Sequence, residues 1–456
     1  MQDDAITAPE RHPVTARALV RVERLSRTGE AAALIERWLQ PPPDADWRAV
    51  WGTRYAGQPL PEECEFIGGL PGELIEVELR WSLPRPGRKA ARRPPSPRVS
   101  VIRVIEPDED RVAAPCPVFG ACGGCQLQHL TYVGQLAWKA GRVAGALAAT
   151  GVSGGEHLPP IGCDDPWHYR NHMRFSVDRA GRAGLTARGS KRVIPLTRCP
   201  IAHPLINTAL AAATDCALPR PQWLVRVGAG TGEMLIQPAP DDVLRARLTA
   251  CGLEVLTDAI TEALTIPAAG GGADSAPIRA TFRIRPSSFF QTNTPQADRM
   301  AAAVLAGLPH GTNVCLVDAY CGVGTFAALL APAAGRVYAV EESASAIRDA
   351  RWNLRDLPHI EIVQDKVEVW LPTFAERLDG LVIDPPRAGC ARPLLEALAA
   401  RRVPRVVYVS CEPSTLARDL AYLTVEAGAY RVRTVQPLDM FPQTHHIETI
   451  VTLEAV

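Results

Sequence analysis

Three cysteines are clustered in the segment CPVFGACGGCQLQH, as Cys116, Cys122 and Cys125. The C-x5-C-x2-C spacing brings three thiols onto one glycine-rich turn, and Cys199 in LTRCPIAHP would complete a tetrahedral set of ligands. From chemistry alone, zinc and an iron–sulfur cluster both suit four thiolates. The lack of a second C-x2-C pair disfavours a zinc ribbon, and the C-x3-C-x2-C spacing of radical enzymes is absent.

A strand, a glycine-rich turn and a helix are predicted in VDAYCGVGTFAALL. Glycines in such a turn let a ligand approach the backbone, and the helix start offers free N–H groups. Glu341 lies sixteen residues after Thr325 and ends the strand VYAVE, where an acid can bind ribose hydroxyls. Asp365 ends the next strand, IVQD. These strand ends together predict a nucleoside site, and the missing G-x-G-x-x-G spacing disfavours a nicotinamide.

A third group of residues has the chemistry of a nucleophile and its partners. Asp384 leaves a strand in VIDPPRAGC, and Cys411 ends another strand in VYVSCEP, just before a helix. An amide-rich helix start would favour the reactive thiolate, so we predict a nucleophile, although a lone cysteine is more commonly a small buried residue. Glu448 begins the last strand, after DMFPQTHHI, and could reach the same pocket as a general base.

The elements that must position these residues follow a regular alternation after residue 310. Strand-like segments alternate with helical segments such as SASAIRDARWNLRDL and PSTLARDLAYLTVEAG. The strand-like segments are NVCLVDAY, RVYAVEE, IEIVQD, GLVIDPP, RVVYVSC and IETIVTLEA. This pattern predicts an α/β fold with a doubly wound, Rossmann-like sheet, whose ligands bind beyond the carboxyl ends of the strands.

The first part of the chain reads instead as short strands with Gly/Pro turns, which predicts a small β-barrel. Its predicted strands are ARALVRVERL, CEFIGG, LIEVELRW and VSVIRVI. Residues 37–60 have no clear period and are predicted to be an insertion in this barrel. Mixed patterns follow, with a glycine-rich loop at 270–276. We therefore predict a barrel at 14–105, a central α+β domain at 106–290 and a catalytic domain at 291–456.

The formal net charge of the 456 residues is zero, but the charges are unevenly distributed. Basic and acidic residues number 17 and 18 through Pro115, 14 and 8 from Cys116 to Ala250, and 18 and 23 thereafter. The middle is thus basic by about six charges. Within the first part, residues 80–103 carry eight basic residues, five prolines and no acid, which indicates a solvated linker or an arm that contacts phosphates.

No apolar run approaches the roughly 18 residues that span a bilayer, and the amino-terminal segment MQDDAITAPERHP is acidic and polar. Secretion and membrane insertion are therefore disfavoured. Twelve cysteines in such a chain indicate a reducing compartment. We expect a cytoplasmic protein that does not bind membranes, and we expect a monomer.

Taken together, six motifs resemble the S-adenosylmethionine-dependent RNA (uracil-5-)-methyltransferase family. In chain order they are the four cysteines, FFQTNTPQAD, DAYCGVGTF, DPPRAG, SCEPSTLARDL and DMFPQTHHIE. The resemblance spans residues 14–456 and is greatest to the cluster-containing bacterial branch that modifies 23S ribosomal RNA. It implies that the first barrel, with its GLPGE turn, is a TRAM-like RNA-binding domain.

The resemblance also implies roles for the matching residues. Those that would bind S-adenosylmethionine are Gln291, Tyr320, Thr325, Glu341 and Asp365, with Asp384 lining the cofactor and target pocket. The nucleophile would be Cys411 and the base Glu448. A 4Fe-4S cluster would be held by Cys116, Cys122, Cys125 and Cys199.

The implied reaction is methylation of carbon 5 of a specific uridine in RNA through a covalent cysteine adduct. Ribosomal RNA is the expected substrate, and transfer RNA is the alternative. The chain departs from the family at Glu412, where an asparagine usually follows the nucleophile. An adenine amino-methyltransferase would need an aromatic residue in place of Arg387, and a non-catalytic iron–sulfur RNA-binding protein would not need Cys411 and Glu448.

Overall fold

The computed structural model describes residues 14–42, 60–81, 96–267 and 276–456. Most of the predicted insertion at 37–60, most of the basic segment at 80–103 and nearly all of the glycine-rich loop at 270–276 lie outside these ranges. The chain forms two compact units, Met1–Thr131 and Tyr132–Val456. The three domain boundaries drawn from the sequence remain a prediction.

The first unit contains a five-stranded antiparallel sheet in the order β3-β2-β1-β4-β5. Its strands are β1 (Val14–Leu25), β2 (Ala31–Gln40), β3 (Glu63–Phe66), β4 (Leu74–Trp81) and β5 (Arg98–Glu106). Side chains alternate between buried and exposed along β1, as a sheet with one covered face requires. Strand β2 was not predicted from the sequence, and its last residues were assigned to the insertion. The apolar run AAALI has no hydrophobic periodicity of its own, and it forms a strand because it pairs with β1 and β3.

The second unit begins with helix α1 (Tyr132–Ala149) and a six-stranded sheet in the order β12-β11-β10-β7-β8-β9. Its strands are β7 (His172–Val177), β8 (Ala183–Thr186), β9 (Val193–Pro195), β10 (Gln222–Val227), β11 (Met234–Gln237) and β12 (Val255–Leu256). Helices α2 (Pro204–Ala212) and α3 (Asp242–Ala250) and the hairpin of β13 (Ile260–Ile266) and β14 (Ile278–Ile284) complete this part.

The rest of the second unit is built on an eight-stranded sheet in the order β17-β16-β15-β18-β19-β21-β20-β6. Its strands are β6 (Glu156–His157), β15 (Gly311–Ala319), β16 (Ala334–Val340), β17 (Ile360–Val363), β18 (Gly380–Ile383), β19 (Arg405–Ser410), β20 (Tyr430–Leu438) and β21 (Glu448–Ala455). The helices are α4 (Thr294–Gly307), α5 (Thr325–Leu330), α6 (Ala344–Asn353), α7 (Val367–Thr373), α8 (Arg392–Arg401) and α9 (Pro413–Ala421). A 3₁₀ turn at Ala331–Ala333 follows α5, and a π-helical turn at Tyr422–Glu426 follows α9.

This sheet confirms the predicted doubly wound α/β fold. Strands β15 to β19 are parallel, and only β21 runs against β19. Both faces are covered, because adjacent residues of one strand, such as Leu316 and Val317, belong to separate hydrophobic cores. Strand β20 was not predicted from the sequence, although apolar and polar residues alternate along the first part of YRVRTVQPL, as is typical of a half-buried strand. No helix within the described residues is both long and apolar enough to cross a membrane.

Candidate active site

The chain order of the strands reverses between β15 and β18, so the carboxyl ends of the parallel strands form one rim at this point. In the sheet register, Ala319 at the end of β15 pairs with Val340 of β16 and with Ile383 of β18. Three predicted site residues follow these paired ends directly, namely Tyr320, Glu341 and Asp384. The topology thus brings together side chains that are up to 64 residues apart in sequence.

The glycine turn after β15 is held by two carboxylates. Asp318 is fully buried, and its Oδ2 accepts a hydrogen bond from the Ala327 N–H in α5 (2.7 Å). Glu341 accepts from the N–H groups of Gly322 (3.1 Å) and Ser343 (2.7 Å). Tyr320 has a φ of 64°, a left-handed conformation that costs a tyrosine energy and is typical of functional sites. Asp318 was not predicted from the sequence, although its place just before a glycine turn could have identified it.

The other predicted cofactor residues lie on different elements of the second unit. Thr325 is the first residue of α5 and is half-buried. Gln291 lies between β14 and α4, and its carbonyl accepts a hydrogen bond from the Asn171 side chain (3.4 Å). Asp365 is exposed and lies two residues beyond β17 rather than at its end.

Cys411 and Glu448 are adjacent in the structure, because β21 runs antiparallel to β19. Ser410 pairs with Thr449, so the residue after β19 and the first residue of β21 lie at the same rim. Burial, and then the nearby Asp384 carboxylate, raise the pKa of Glu448 well above its usual range, while Arg387 opposes the shift. Burial raises the pKa of Asp384 to about 7. Burial at this rim therefore favours the protonated form of both carboxyl groups over what an exposed carboxyl group would show.

The expectation that the start of a helix favours the Cys411 thiolate is wrong for this state of the protein. Burial, followed by Glu448 and Asp384, raises the pKa of Cys411 to about 12, and Arg387 only partly offsets this. The N-terminus of α9 is capped by Glu412, whose carboxylate accepts from the Ser414 N–H (3.5 Å) and hydroxyl (2.9 Å). The cap places a negative charge where the free N–H groups would otherwise stabilise the thiolate.

Helix α9 fixes the DPPRAG loop that carries Asp384. Asp419 is fully buried and accepts from the Cys390 N–H (2.7 Å), and Arg418 donates to the Ala388 carbonyl (2.9 Å). Gly389 has a φ of +77°, and a Cβ there would lie 2.6 Å from Arg418 and Asp419. Only glycine fits this close approach, so SCEPSTLARDL and DPPRAG act as one structural unit.

Three side chains at the mouth of the site were not predicted to act together. The exposed Arg387 donates to Nδ1 of His446 (2.9 Å) and lies 3.9 Å from the Glu412 carboxylate. Burial lowers the pKa of His446 to about 3, so its imidazole is neutral and can accept this bond. The position of Arg387 next to DPP was visible in the sequence, but its pairing with a residue 59 positions later was not.

Helix α1 braces the loop that leads into Glu448. Lys139 donates to the Asp439 carboxylate (2.6 Å) and to the Phe441 carbonyl (3.0 Å), and both ends of the ion pair are fully buried. Gln135 exchanges two hydrogen bonds of 3.0 Å with the side chain and backbone of Gln443. These bonds join segments about 300 residues apart, and they fix the DMFPQTHH segment immediately before the predicted base.

Replacement of Lys139 by methionine is therefore expected to destabilise the protein by about 3–5 kcal/mol, because the Asp439 carboxylate would remain buried without its cation. Urea unfolding measures this change. The double variant Lys139→Met, Asp439→Leu should recover most of the loss, and Arg392→Met, at the exposed pair with Glu396, should cost at most about 1 kcal/mol. A Lys139→Met protein as stable as wild type would contradict the bracing role.

The cysteine-rich loop belongs to the first unit, where it packs against the GLPGE turn. The fully buried Glu73 carboxylate accepts from Arg111 (2.5 Å) and from the Leu70 N–H (2.7 Å). Burial opposes ionisation of Glu73, but these donors outweigh it and lower its pKa. His129 contacts the Gly69 carbonyl (3.2 Å) and the ring of Phe119. The GLPGE turn and the cysteine-rich loop are thus bound to each other.

The predicted metal ligands are distributed over both units. Cys122 is buried, receives a hydrogen bond from the Gly124 N–H (3.4 Å) and has its pKa raised by burial, with a smaller contribution from Cys116. Cys199 lies before α2 in the second unit, and its N–H donates to Asn207 (2.8 Å). Within the described ranges, no group of three or more His, Cys, Asp or Glu side chains is arranged to hold a metal ion.

Comparison with known proteins shows that this chain is similar to RNA methyltransferases. The family model described as tRNA (Uracil-5-)-methyltransferase matches residues 373–456, which include Asp384, Cys411 and Glu448. The chain is 34% identical over 389 residues to an uncharacterized RNA methyltransferase of Thermosynechococcus vestitus, covering 77% of this chain and 86% of that protein. It is 32% identical over 421 residues to one of Streptomyces coelicolor, covering 84% and 86% of the two chains.

The fold also matches a solved structure over almost its whole length. The tRNA (uracil-54, C5)-methyltransferase of Pyrococcus abyssi, solved with S-adenosyl-L-homocysteine, superimposes with a TM-score of 0.62. The match covers 95% of this chain and 99% of that chain at 20% identity, so it shows a shared fold.

Proposed function

The chain belongs to the RNA (uracil-5-)-methyltransferase family, and on that premise we propose that it methylates carbon 5 of a specific uridine through a covalent adduct with Cys411. The observation that carries this proposal is the pairing of β19 with β21, which sets Cys411 beside Glu448 at the rim where Asp384 and the glycine turn lie. A non-catalytic RNA-binding protein would have no use for a thiol flanked by two carboxylates.

The cofactor is S-adenosylmethionine, whose sulfonium supplies the methyl group. The rim fits a nucleoside with a charged tail, because Glu341 and Asp384 are acidic, and Oδ1 of the buried Asp318 has no hydrogen-bond partner among the described residues. We assign binding to Gln291, Tyr320, Thr325, Glu341 and Asp365, with Asp384 between cofactor and target. The S-adenosyl-L-homocysteine in the Pyrococcus abyssi structure supports S-adenosylmethionine as the cofactor.

The chain's own residues account for the chemistry at the uracil. The Cys411 sulfur forms a bond to carbon 6, and the electrons of the 5,6 double bond become an enolate that makes carbon 5 nucleophilic. Carbon 5 takes the methyl group, and the methyl–sulfur bond breaks with its electrons on the departing sulfur. Glu448 then removes the proton from carbon 5, so the double bond reforms and the thiolate leaves.

The thiol proton must be lost before this attack, because the pKa of Cys411 is about 12 in the protein alone. Two carboxylates lie beside it, and the pKa of Asp384, about 7, is suited to accept a proton near neutral pH. We assign Asp384 this acceptor role. The uridine must leave its stack to enter the site, which costs a few kcal/mol and favours loops and single strands.

Ribosomal RNA, specifically 23S, is the substrate that we propose, since the cysteine motif resembles that of the branch acting on it. Transfer RNA is the second candidate, because the matched family model and the Pyrococcus abyssi enzyme both carry tRNA names. Mass spectrometry of ribosomal and transfer RNA from cells with and without this protein decides between them. Loss of 5-methyluridine from neither RNA would refute the proposed reaction.

We further propose that Cys116, Cys122, Cys125 and Cys199 hold a 4Fe-4S cluster. The N–H donated to the Cys122 sulfur and the thiol of Cys116 near it fit thiolate ligation, since backbone donors stabilise cluster sulfurs. The first sheet would then be a TRAM-like RNA-binding domain linked to the cluster loop. The twelve cysteines fit a reducing compartment, so we propose that this protein is cytoplasmic, and we propose that it is a monomer.

Anaerobically purified protein is accordingly expected to be brown and to contain about four irons per chain. Iron analysis and the absorption spectrum measure this. Replacement of Cys122 by serine should reduce the iron content, whereas replacement of Cys251, an exposed cysteine outside the motif, should not. A colourless protein with one bound zinc would contradict the cluster assignment.

A further inference from the structure

An open hollow on the second unit has five cationic side chains in its lining. It encloses about 770 Å³ between the β7–β8 turn, the β8–β9 turn and the start of β10. Its charged residues are Asp178, Arg179, Arg182, Lys191, Arg192 and Arg220, five cations and one carboxylate, which leaves a formal charge of +4. Asp178 is paired with Arg182 (2.8 Å), and in the described part of the chain the other four cations form no ion pair.

The backbone that carries these cations is fixed by its own hydrogen bonds. Asp178 accepts from the N–H groups of Ala180 (2.8 Å) and Arg182 (3.0 Å), which closes the first turn. Gly181 packs so closely on residues 217–218 that a Cβ would lie 2.9 Å from Ala217. This contact holds Arg179 next to the segment that carries Arg220.

The second turn is closed in the same way. The Ala187 N–H donates to the Arg192 carbonyl (2.7 Å), and the Arg192 N–H donates to the Ser190 hydroxyl (3.1 Å). Lys191 and Arg192 therefore project from a preformed turn, and both are exposed. A preformed site binds with less loss of conformational entropy than a loop that must order on binding.

The cationic surface continues along the same face of the sheet. Ser176 lines the hollow, and Arg174, two residues earlier on β7, lines a second hollow of about 440 Å³ with Gln222 and Gln237. Side chains two residues apart share one face of a strand, and Arg174 is exposed while Phe175 is buried. The result is a row of cations and amides rather than a single point of positive charge.

We propose that this surface, from Arg174 to Arg192 and Arg220, binds the sugar–phosphate backbone of the RNA substrate. Spread, exposed cations on a rigid surface suit successive phosphates, whereas a single small anion would need convergent donors in an enclosed site. The inference rests on the proposed function only in identifying the nucleic acid as RNA. It assigns part of the binding energy to a surface on a different sheet from the one that carries Cys411.

The test compares wild type with the variant Arg179→Ala, Lys191→Ala, Arg192→Ala, using a fluorescein-labelled RNA stem–loop with a uridine in its loop. Kd is measured by fluorescence anisotropy over a range of salt concentrations. Removal of three phosphate contacts should weaken binding about 10- to 100-fold near physiological salt and reduce the slope of log Kd against log salt by about 2. All three residues are exposed, so the melting temperature should change little.

The matched control is Arg245→Ala, Arg348→Ala, Arg351→Ala, which removes the same charge from exposed positions on α3 and α6 and should leave the slope unchanged. An equal loss in both variants, or an unchanged slope in the first, overturns the proposal even if methylation is normal. If the slope of log Kd against log salt falls in the first variant alone, and the wild-type protein methylates no RNA, the assignment of this surface is supported and the proposed reaction is refuted. Competition by polyglutamate as strong as by unlabelled RNA would indicate an acidic protein partner and overturn it.

Discussion

Replacement of Cys411 by alanine is expected to reduce methyl transfer by at least about 10⁴-fold, because carbon 5 of uracil is too weak a nucleophile without addition of the thiolate to carbon 6. Binding of S-adenosylmethionine should be retained, since the glycine turn and Glu341 follow β15 and β16 rather than β19. Transfer of labelled methyl groups to RNA measures the first effect, and calorimetric titration of the cofactor measures the second.

A matched control is Cys315→Ala. Cys315 is also half-buried and also lies on the catalytic sheet, but it is the middle residue of β15, four residues before the strand end at the rim. That variant should retain activity close to wild type. Full turnover by Cys411→Ala would exclude a covalent mechanism at this residue, while loss of both activity and cofactor binding would point to a general disturbance of the fold.

Replacement of Glu448 by glutamine is expected to trap the RNA on the protein. The first bond, from Cys411 to carbon 6, does not need Glu448, whereas removal of the carbon 5 proton does, so methylated RNA should accumulate as a covalent adduct. Denaturing gel electrophoresis of labelled RNA detects the adduct, and release of product should slow about 10²- to 10⁴-fold.

The matched control for this variant is Glu454→Gln, at the far end of the same strand, where the carboxylate pairs with surface arginines. It should form no lasting adduct. Burial and Asp384 raise the pKa of Glu448, so adduct resolution by wild type should speed up as the pH rises and more Glu448 becomes ionised. Rapid release of product by Glu448→Gln would remove Glu448 from the role of base.

Much of the catalytic fold could be predicted from the sequence because its information is local. A buried strand that ends in an acid, a glycine turn or a cysteine is recognisable from consecutive residues. The parallel topology then places the carboxyl ends of such strands on one edge of the sheet. Glu341 and Asp384 were assigned to this edge for this reason, whereas Tyr320 was named only through the family resemblance. Strand β2 was missed because its apolar run becomes a strand only when it pairs with β1 and β3.

The sequence by itself therefore determined the sheet and the types of residue at its rim, including Cys411 and Glu448. Only the tertiary structure decided the protonation of that rim. Burial and two carboxylates oppose ionisation of Cys411, and Glu412 caps the helix that was expected to favour it. The bracing of the DMFPQTHH loop by Lys139 was equally hidden. Desolvation and contacts between segments about 300 residues apart depend on three-dimensional packing, and no local pattern of residues encodes them.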